Sequence, residues 1–320
     1  MQNIVGNRRS SSRGMTIVVI AGLPARILLM KHLVTNSTLP AVDYSAIAAR
    51  YSLAEQDVVQ LSLNLKSVEQ EIIRSCEKSG RLPSEVKLIA VTKYVRAPVI
   101  AALYEMGVRD VGESRPQNLA LRRSEVEALF PSTASGLIPG EGTLADLKWH
   151  LIGHLQRNKA ELAVSKADAI HSCDSERLLT RLDQLLQATP RPMPLFVEIN
   201  ISGETSKHGF TPDEARIWWR AQAVERAASC MAKEHLPVGL MTMAPIDASP
   251  EELVQVFSGL KALKIELEAI SPECRLPWLS MGMSGDFPIA IECGATHVRV
   301  GSRLYQGLSN RCFLNDTPPT

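Results

Sequence analysis

The chain has 320 residues, 45% of them hydrophobic and 22% charged, with a formal net charge of +1. That length suits one large α/β domain or two ordinary ones, and the near-neutral balance excludes a global field that recruits nucleic acid or acidic membrane. Six cysteines (Cys76, Cys173, Cys230, Cys274, Cys293, Cys312) are scattered without a C-x-x-C pair. This argues against a zinc ribbon or a dense disulfide framework and fits a reducing, cytoplasmic setting.

The first 40 residues differ from the rest. They carry five basic residues (Arg8, Arg9, Arg13, Arg26, Lys31) and no acidic ones. The apolar run Thr16 to Leu23 is too short to span a bilayer and is broken by Pro24 and Arg26. Residues 1–43 read as a disordered extension, or as the product of an upstream start with Met15 or Met30 as alternatives. A signal peptide fits less well, because no small-x-small cleavage site follows.

From Tyr44 to Ser79 the apolar positions Ile47, Leu53, Val58, Leu61, Leu65, Val68 and Ile72 fall at near-helical spacing. Gly80 follows as a C-cap signal, and a break is expected near Ser52. Eight strands are then predicted: Val86–Thr92, Arg109–Gly112, Trp149–Ile152, Ala169–Ser172, Leu195–Ile201, Val238–Met243, Leu276–Met281 and His297–Gly301. Between them lie helical patterns at Ala97–Met106, Pro116–Phe130, Asn158–Ser165, Ser175–Ala188, Pro212–Lys233, Pro250–Ile270 and Pro288–Cys293. Pro131 to Asp146 reads as a flexible surface insertion. Alternation of strand and helix without hairpins predicts a parallel sheet, and eight units predict a single (β/α)8 barrel over residues 44–310, with 311–320 as a tail.

Such barrels place chemistry at the C-terminal ends of their strands. The first strand ends in Lys93, where a half-buried amine must lose its charge, find a partner or bond covalently to an aldehyde. The seventh ends Leu279-Ser-Met-Gly-Met-Ser-Gly-Asp286 and the eighth Val298-Arg-Val-Gly-Ser302. Two adjacent glycine- and serine-rich loops predict a phosphate cup at Ser284, Gly301 and Ser302, although both serines could simply cap helices. Strands one and eight are neighbours in a closed barrel. A lysine and a phosphate cup side by side suit pyridoxal 5′-phosphate, with Arg299 reaching its ring nitrogen from the face it shares with Gly301. An arginine there leaves that nitrogen unprotonated and weakens the ring as an electron sink.

The ordered segments Val91-Thr-Lys93, Gly112-Glu-Ser-Arg-Pro-Gln-Asn118, Trp149-His-Leu-Ile-Gly-His154 through Lys159, Ile199-Asn-Ile-Ser202 with Ser206-Lys-His-Gly209, Gly239-Leu-Met-Thr-Met243, Leu279 to Ser284 and Val298 to Ser302 resemble the pyridoxal phosphate homeostasis protein family. The resemblance implies an alanine-racemase-type barrel, a Schiff base at Lys93, phosphate contacts from Ser284, Gly301 and Ser302, and Arg299 near the ring nitrogen. It also implies a role in pyridoxal phosphate supply without established catalysis. Asn200, Met241 and His150, at the ends of strands five, six and three, complete the expected cofactor set; His150 could instead be satisfied inside the barrel. Ser114 stands where the family often has asparagine, and His154 where many relatives have proline.

His150 and His154 are four apart but lie on a strand end and loop, so no metal pair is expected from them. Gly282-Met-Ser284-Gly285 is not a nucleophile elbow. Gln156 to Lys159 is basic without aromatic interleaving, and Trp218-Trp219 reads as core or interface rather than a ligand box. Three functions remain open: a monomeric carrier that passes the cofactor to apo-enzymes, a racemase-like enzyme, and a barrel for another phosphorylated metabolite. A two-base racemase needs a second acid/base opposite the lysine, and no segment after the eighth strand is long enough to supply a further domain. The carrier reading is therefore preferred.

Overall fold

The computed structural model describes residues 42–130, 144–188, 192–228, 237–272 and 274–315. The predicted extension and most of the Pro131–Asp146 insertion lie outside these residues.

The described chain opens with α1 (Tyr44–Tyr51), capped by the Asp43 carboxylate, which accepts the Ala46 N–H at 3.0 Å. The expected break falls at Ser52, a non-glycine residue at φ +54, whose N–H closes onto α1 before α2 (Glu55–Lys78) begins. The buried stripe of α2 runs through Val58, Leu61, Leu65, Val68 and Ile72, the near-helical set read from the sequence. There follow β1 (Lys87–Val91), α3 (Ala97–Glu105), β2 (Asp110–Glu113), α4 (Pro116–Ala128), β3 (Lys148–Leu151), α5 (Ala160–Lys166), β4 (Ala169–Cys173) and α6 (Glu176–Gln187). The second half contains β5 (Leu195–Glu198), α7 (Pro212–Ala228), β6 (Gly239–Met241), α8 (Pro250–Ile270), β7 (Trp278–Ser280), α9 (Phe287–Glu292), β8 (His297–Val300) and the short α10 (Ser302–Tyr305).

The eight strands pair in parallel in chain order, and β8 closes onto β1. The expected (β/α)8 barrel is thus formed. Register aligns Ile89 with Arg299 and Ala90 with Val300. By the two-residue period, Ile89 and Val91 share the inner face of β1 and Arg299 and Gly301 that of β8, while Lys93 lies in the turn that follows Val91. Outside, helices cover the strands with leucine-rich stripes such as Leu178, Leu179, Leu182 and Leu186 of α6. Trp219 is buried and Trp218 packs against the core, as expected of a structural pair.

The end of the described chain returns to the first βα turn. Val95 bridges Phe313, the Leu314 N–H donates to the Tyr94 carbonyl at 2.9 Å, and the Arg96 side chain donates to the Phe313 carbonyl. The α2 helix clamps the same region: Asn64 donates to the carbonyls of Leu304 and Gln306, and Asp57 accepts both the N–H and the hydroxyl of Ser309.

Candidate functional site

Barrel interiors of this type are usually filled by branched apolar side chains. This one is polar. Asp110, His150, His171, Ser280, His297 and Arg299 are all buried. Each polar group inside must find a partner or cost a few kcal/mol, roughly 1–3 for a neutral group.

The partners form a single row. Arg299 donates through Nη1 to Ser280 Oγ at 2.6 Å and through Nη2 to the Thr242 carbonyl at 3.0 Å. Ser280 Oγ lies 2.8 Å from His171 Nδ1, His171 Nε2 lies 2.9 Å from His150 Nδ1, and His150 Nε2 lies 2.8 Å from Asp110 Oδ1. With Asp110 ionised, one direction of donation satisfies the row with both rings neutral. Arg299 donates to Ser280, Ser280 to His171, His171 to His150 and His150 to Asp110. Burial works to raise the Asp110 carboxyl, but the His150 hydrogen bond and the Lys87 ammonium at 3.0 Å hold it below its ordinary value. Burial pushes His171 well below the usual imidazole range and His297 down to about 3. His171 also stacks on Phe196 at 4.0 Å between ring centroids.

Arg299 is the cation at the upper end of this row. Burial lowers its guanidinium to about 10, against the opposing pull of Asp286 and Glu198, so it stays charged at neutral pH. Glu198 shares the inner face of β5 with Phe196, and burial, reinforced by Asp174, pushes its carboxyl up to about 7. Its place beside Arg299 was not anticipated from sequence. A period-two reading of Phe196-Val-Glu198 would have found it.

Above Arg299 the loops after β7 and β8 meet. The Gly301 N–H donates to Ser284 Oγ at 3.0 Å, which joins the two loops and leaves the serine proton free to donate elsewhere. Ser284 does not cap α9, whose N-cap is Asp286. Gly301 lies where an added Cβ would come within 3.3 Å of Val91 Cβ, so its lack of a side chain keeps the space over β1 open. Ser302 begins α10 and is exposed. That helix has four residues, so any anion binding here rests on the local N–H and hydroxyl groups rather than on a helix dipole.

Lys93 is half-buried in the turn just beyond the C-terminal end of β1, with its Nζ 4.7 Å from the centroid of the Tyr94 ring. No carboxylate pairs with it among the described residues. At the end of β2, Glu113 Oε1 accepts the Thr92 hydroxyl at 2.9 Å, whereas Glu113 Oε2, Arg122 Nε and the Tyr305 hydroxyl are buried without a hydrogen-bond partner among the described residues. Burial pushes Glu113 up to about 7, with Thr92, Arg122 and Lys93 pulling the other way.

The remaining candidates fall in distinct places. Met241 is buried at the end of β6. Asn200 organises its own loop: its amide donates to the Glu204 carbonyl and its oxygen accepts the Gly203 N–H. His150 has both ring nitrogens occupied by Asp110 and His171, so it reaches Arg299 only through His171 and Ser280. Ser114 packs against Gly153, and His154 pairs with Asp174 at 2.8 Å. Thus Lys93, Arg299, Ser284, Gly301 and Ser302 converge on the C-terminal mouth, while Asn200 and His150 support neighbouring structure.

The fold and this mouth define a barrel of the alanine racemase N-terminal class, and the matching family model, Alanine racemase, N-terminal domain, covers residues 70–309. The chain belongs to that family and, within it, to the pyridoxal phosphate homeostasis proteins. It is 32% identical over 242 residues to the pyridoxal phosphate homeostasis protein of Aquifex aeolicus, covering 75% of this chain and 95% of the relative. Among solved structures, it is similar to PipY of Synechococcus elongatus PCC7942 with PLP bound, at 32% identity and a TM-score of 0.61, covering 77% of this chain and 99% of PipY. A Bifidobacterium adolescentis protein superposes with a TM-score of 0.67 at 28% identity, covering 79% of this chain and 97% of that one.

Proposed function

We propose that this barrel binds pyridoxal 5′-phosphate at its C-terminal mouth, holds it reversibly through Lys93 and contributes to the intracellular supply of the cofactor. The observation that carries this reading is the register of β1 on β8. It sets the end of β1, with the half-buried Lys93 just beyond it, beside the strand that carries Arg299 and leads into the Gly301–Ser302 turn, which supports this reading.

The donor set fits the cofactor. Its aldehyde supplies an electrophile for an amine. Lys93 offers that amine. Ser284, Gly301 and Ser302 would hold the phosphate, and the open space above Val91 lets it approach. Arg299, locked by Ser280 and Thr242, would face the ring nitrogen as a donor that never accepts a proton. Met241 walls the mouth, and Asn200 and His150 act indirectly, through the loop after β5 and the polar row.

Carriage rather than turnover is favoured by the relatives, which are named for homeostasis and not for a reaction. Recipient apo-enzymes would meet a monomer at the barrel mouth in the cytoplasm. No helix among the described residues is long and apolar enough to cross a membrane. The five described cysteines are all free, as a reducing compartment requires.

The test is an absorbance titration of the full chain with pyridoxal phosphate, followed by borohydride reduction and peptide mapping. A reducible band with the label on Lys93 supports the reading. A label spread over surface lysines, or no band, sinks it and leaves a barrel for another phosphorylated metabolite.

A further inference from the structure

We propose that His154, Asp174 and His208 form a zinc-type divalent metal site on the C-terminal rim of the barrel. The three side chains come from three successive loops, after β3, β4 and β5. Their donor atoms all lie within 4.8 Å of one another. His154 Nδ1 and Asp174 Oδ2 are already 2.8 Å apart, and the rings of His154 and His208 lie face to face at 4.2 Å between centroids, 18° from parallel. Zinc takes nitrogen and carboxylate donors at about 2.0–2.2 Å, which places them roughly 3.2–3.5 Å from each other. Small side-chain movements would reach that spacing, and both histidines are exposed.

The backbones carrying the ligands are fixed. Ser172 donates to the Gly153 carbonyl at 2.6 Å, which ties the His154 loop to β4 one residue before Cys173 and two before Asp174. After β5 the chain folds back on itself. The Asn200 N–H donates to the Phe210 carbonyl and the Phe210 N–H to the Glu198 carbonyl, both at 2.9 Å. Gly209, at φ +107, makes that return, because an added Cβ would sit 2.8 Å from the Glu198 carbonyl oxygen. Lys207 then pins the same loop to the Met243 carbonyl across the next strand. His208 therefore projects from a loop held on both sides. Rigid backbones with adjustable ligand tips are what a preorganised metal site needs.

The donor set selects the ion. Two imidazoles and one carboxylate suit zinc and its borderline neighbours, whereas magnesium and calcium prefer all-oxygen shells. Three protein ligands leave one position open to water or a ligand. His150, four residues before His154, takes no part because it points into the barrel. The bound ion would tie three rim loops together on the face that carries Lys93, but the site does not depend on Lys93 holding any cofactor.

The test uses the full chain stripped with a chelator and titrated with zinc ion in competition with a chromophoric chelator. One equivalent should bind. His154→Ala and His208→Ala should each weaken it by more than about tenfold, the loss that removing even an outer-shell partner costs. Cys293→Ser should leave the affinity unchanged. Cobalt substitution should give visible d–d absorption in the parent and none in the double histidine variant. Both histidines are exposed, so the variants should keep the parent's melting temperature. No stoichiometric zinc binding, or binding that the double variant retains, overturns the proposal. In that case, the pair is an ordinary hydrogen bond with a stacked neighbour.

Discussion

Arg299 and Asp110 stand at opposite ends of the barrel interior and are joined by four hydrogen bonds in series, through Ser280, His171 and His150. A cation at the mouth is thereby referred to an anion near the base, with two neutral rings between. Removing any member strands the next polar group in a site that excludes water.

His171→Phe tests this directly. The phenyl ring preserves the stack on Phe196 but leaves Ser280 and His150 each short of one partner. Stability should fall by roughly 1–3 kcal/mol in urea denaturation, with the slope of the transition unchanged. A neutral or stabilising result would mean that the row is slack.

Arg299→Ala removes the cation itself. Ser280 and the Thr242 carbonyl lose their donor, and Glu198 loses its opposite charge. The cost should be roughly 1–3 kcal/mol for each acceptor left without its donor. Arg299→Lys should recover the charge but not the fork. Pyridoxal phosphate titrations should show weaker binding in both variants with the Lys93 label still obtainable; loss of the label from a folded Arg299→Lys protein would displace Arg299 from its assigned place.

Gly301→Ala separates the mouth from the core. Its φ of −123 lies outside the left-handed region reserved for glycine. The new methyl would crowd Val91 and narrow the space above it. Thermal stability should change little, while affinity for pyridoxal phosphate should drop about tenfold, equal to 1.4 kcal/mol. Equal affinities would place the phosphate elsewhere.

Glu113 gives a pH signature. Its carboxyl titrates near 7 in the folded protein against 4.5 ordinarily. As pH rises from about 4.5 to about 7, the unfolded chain releases this proton while the folded one retains it, so stability falls across that window. Glu113→Gln abolishes the effect. The variant should gain on the parent between pH 5 and pH 8, by at most roughly 3 kcal/mol. Denaturation curves at the two pH values measure it, and parallel behaviour would refute the burial argument. The buried histidines act with opposite sign. His297 titrates near 3 instead of 6.5, so its contribution is present above 6.5 and is lost as pH falls towards 3.

Much of this was legible in the sequence because βα alternation is a strong pattern. Each expected strand appears, most of them within two residues of the predicted ends. The break at Ser52 and the core role of Trp218-Trp219 also appear as read. The positions of Lys93, Ser284, Arg299 and Gly301 at or just past strand ends were legible because strand ends and glycine-rich loops carry their own signals. The polar row was not, because Asp110, His171 and Ser280 are unremarkable inside apolar strands until the barrel closes and turns them towards one another. The His154 site was hidden for a related reason. Its neighbour in sequence, His150, faces inward, and its neighbours in space come from two other loops. Asn200, also read at a strand end, hydrogen-bonds within its own turn, a contact that strand-end position alone does not signal.

The return of Phe313 and Leu314 to Tyr94 and Val95 has a temporal meaning. Lys93 sits immediately before that contact, on a strand whose closing partner, β8, lies some two hundred residues later in the chain. The side of its surroundings that β8 supplies is therefore built from contacts of high sequence separation, which are slow to form. During synthesis, the lysine emerges early beside Tyr94 but gains the β8 side only when nearly the whole chain is available. A nascent barrel lacking β8 would hold this amine without Arg299 or the Gly301–Ser302 turn nearby.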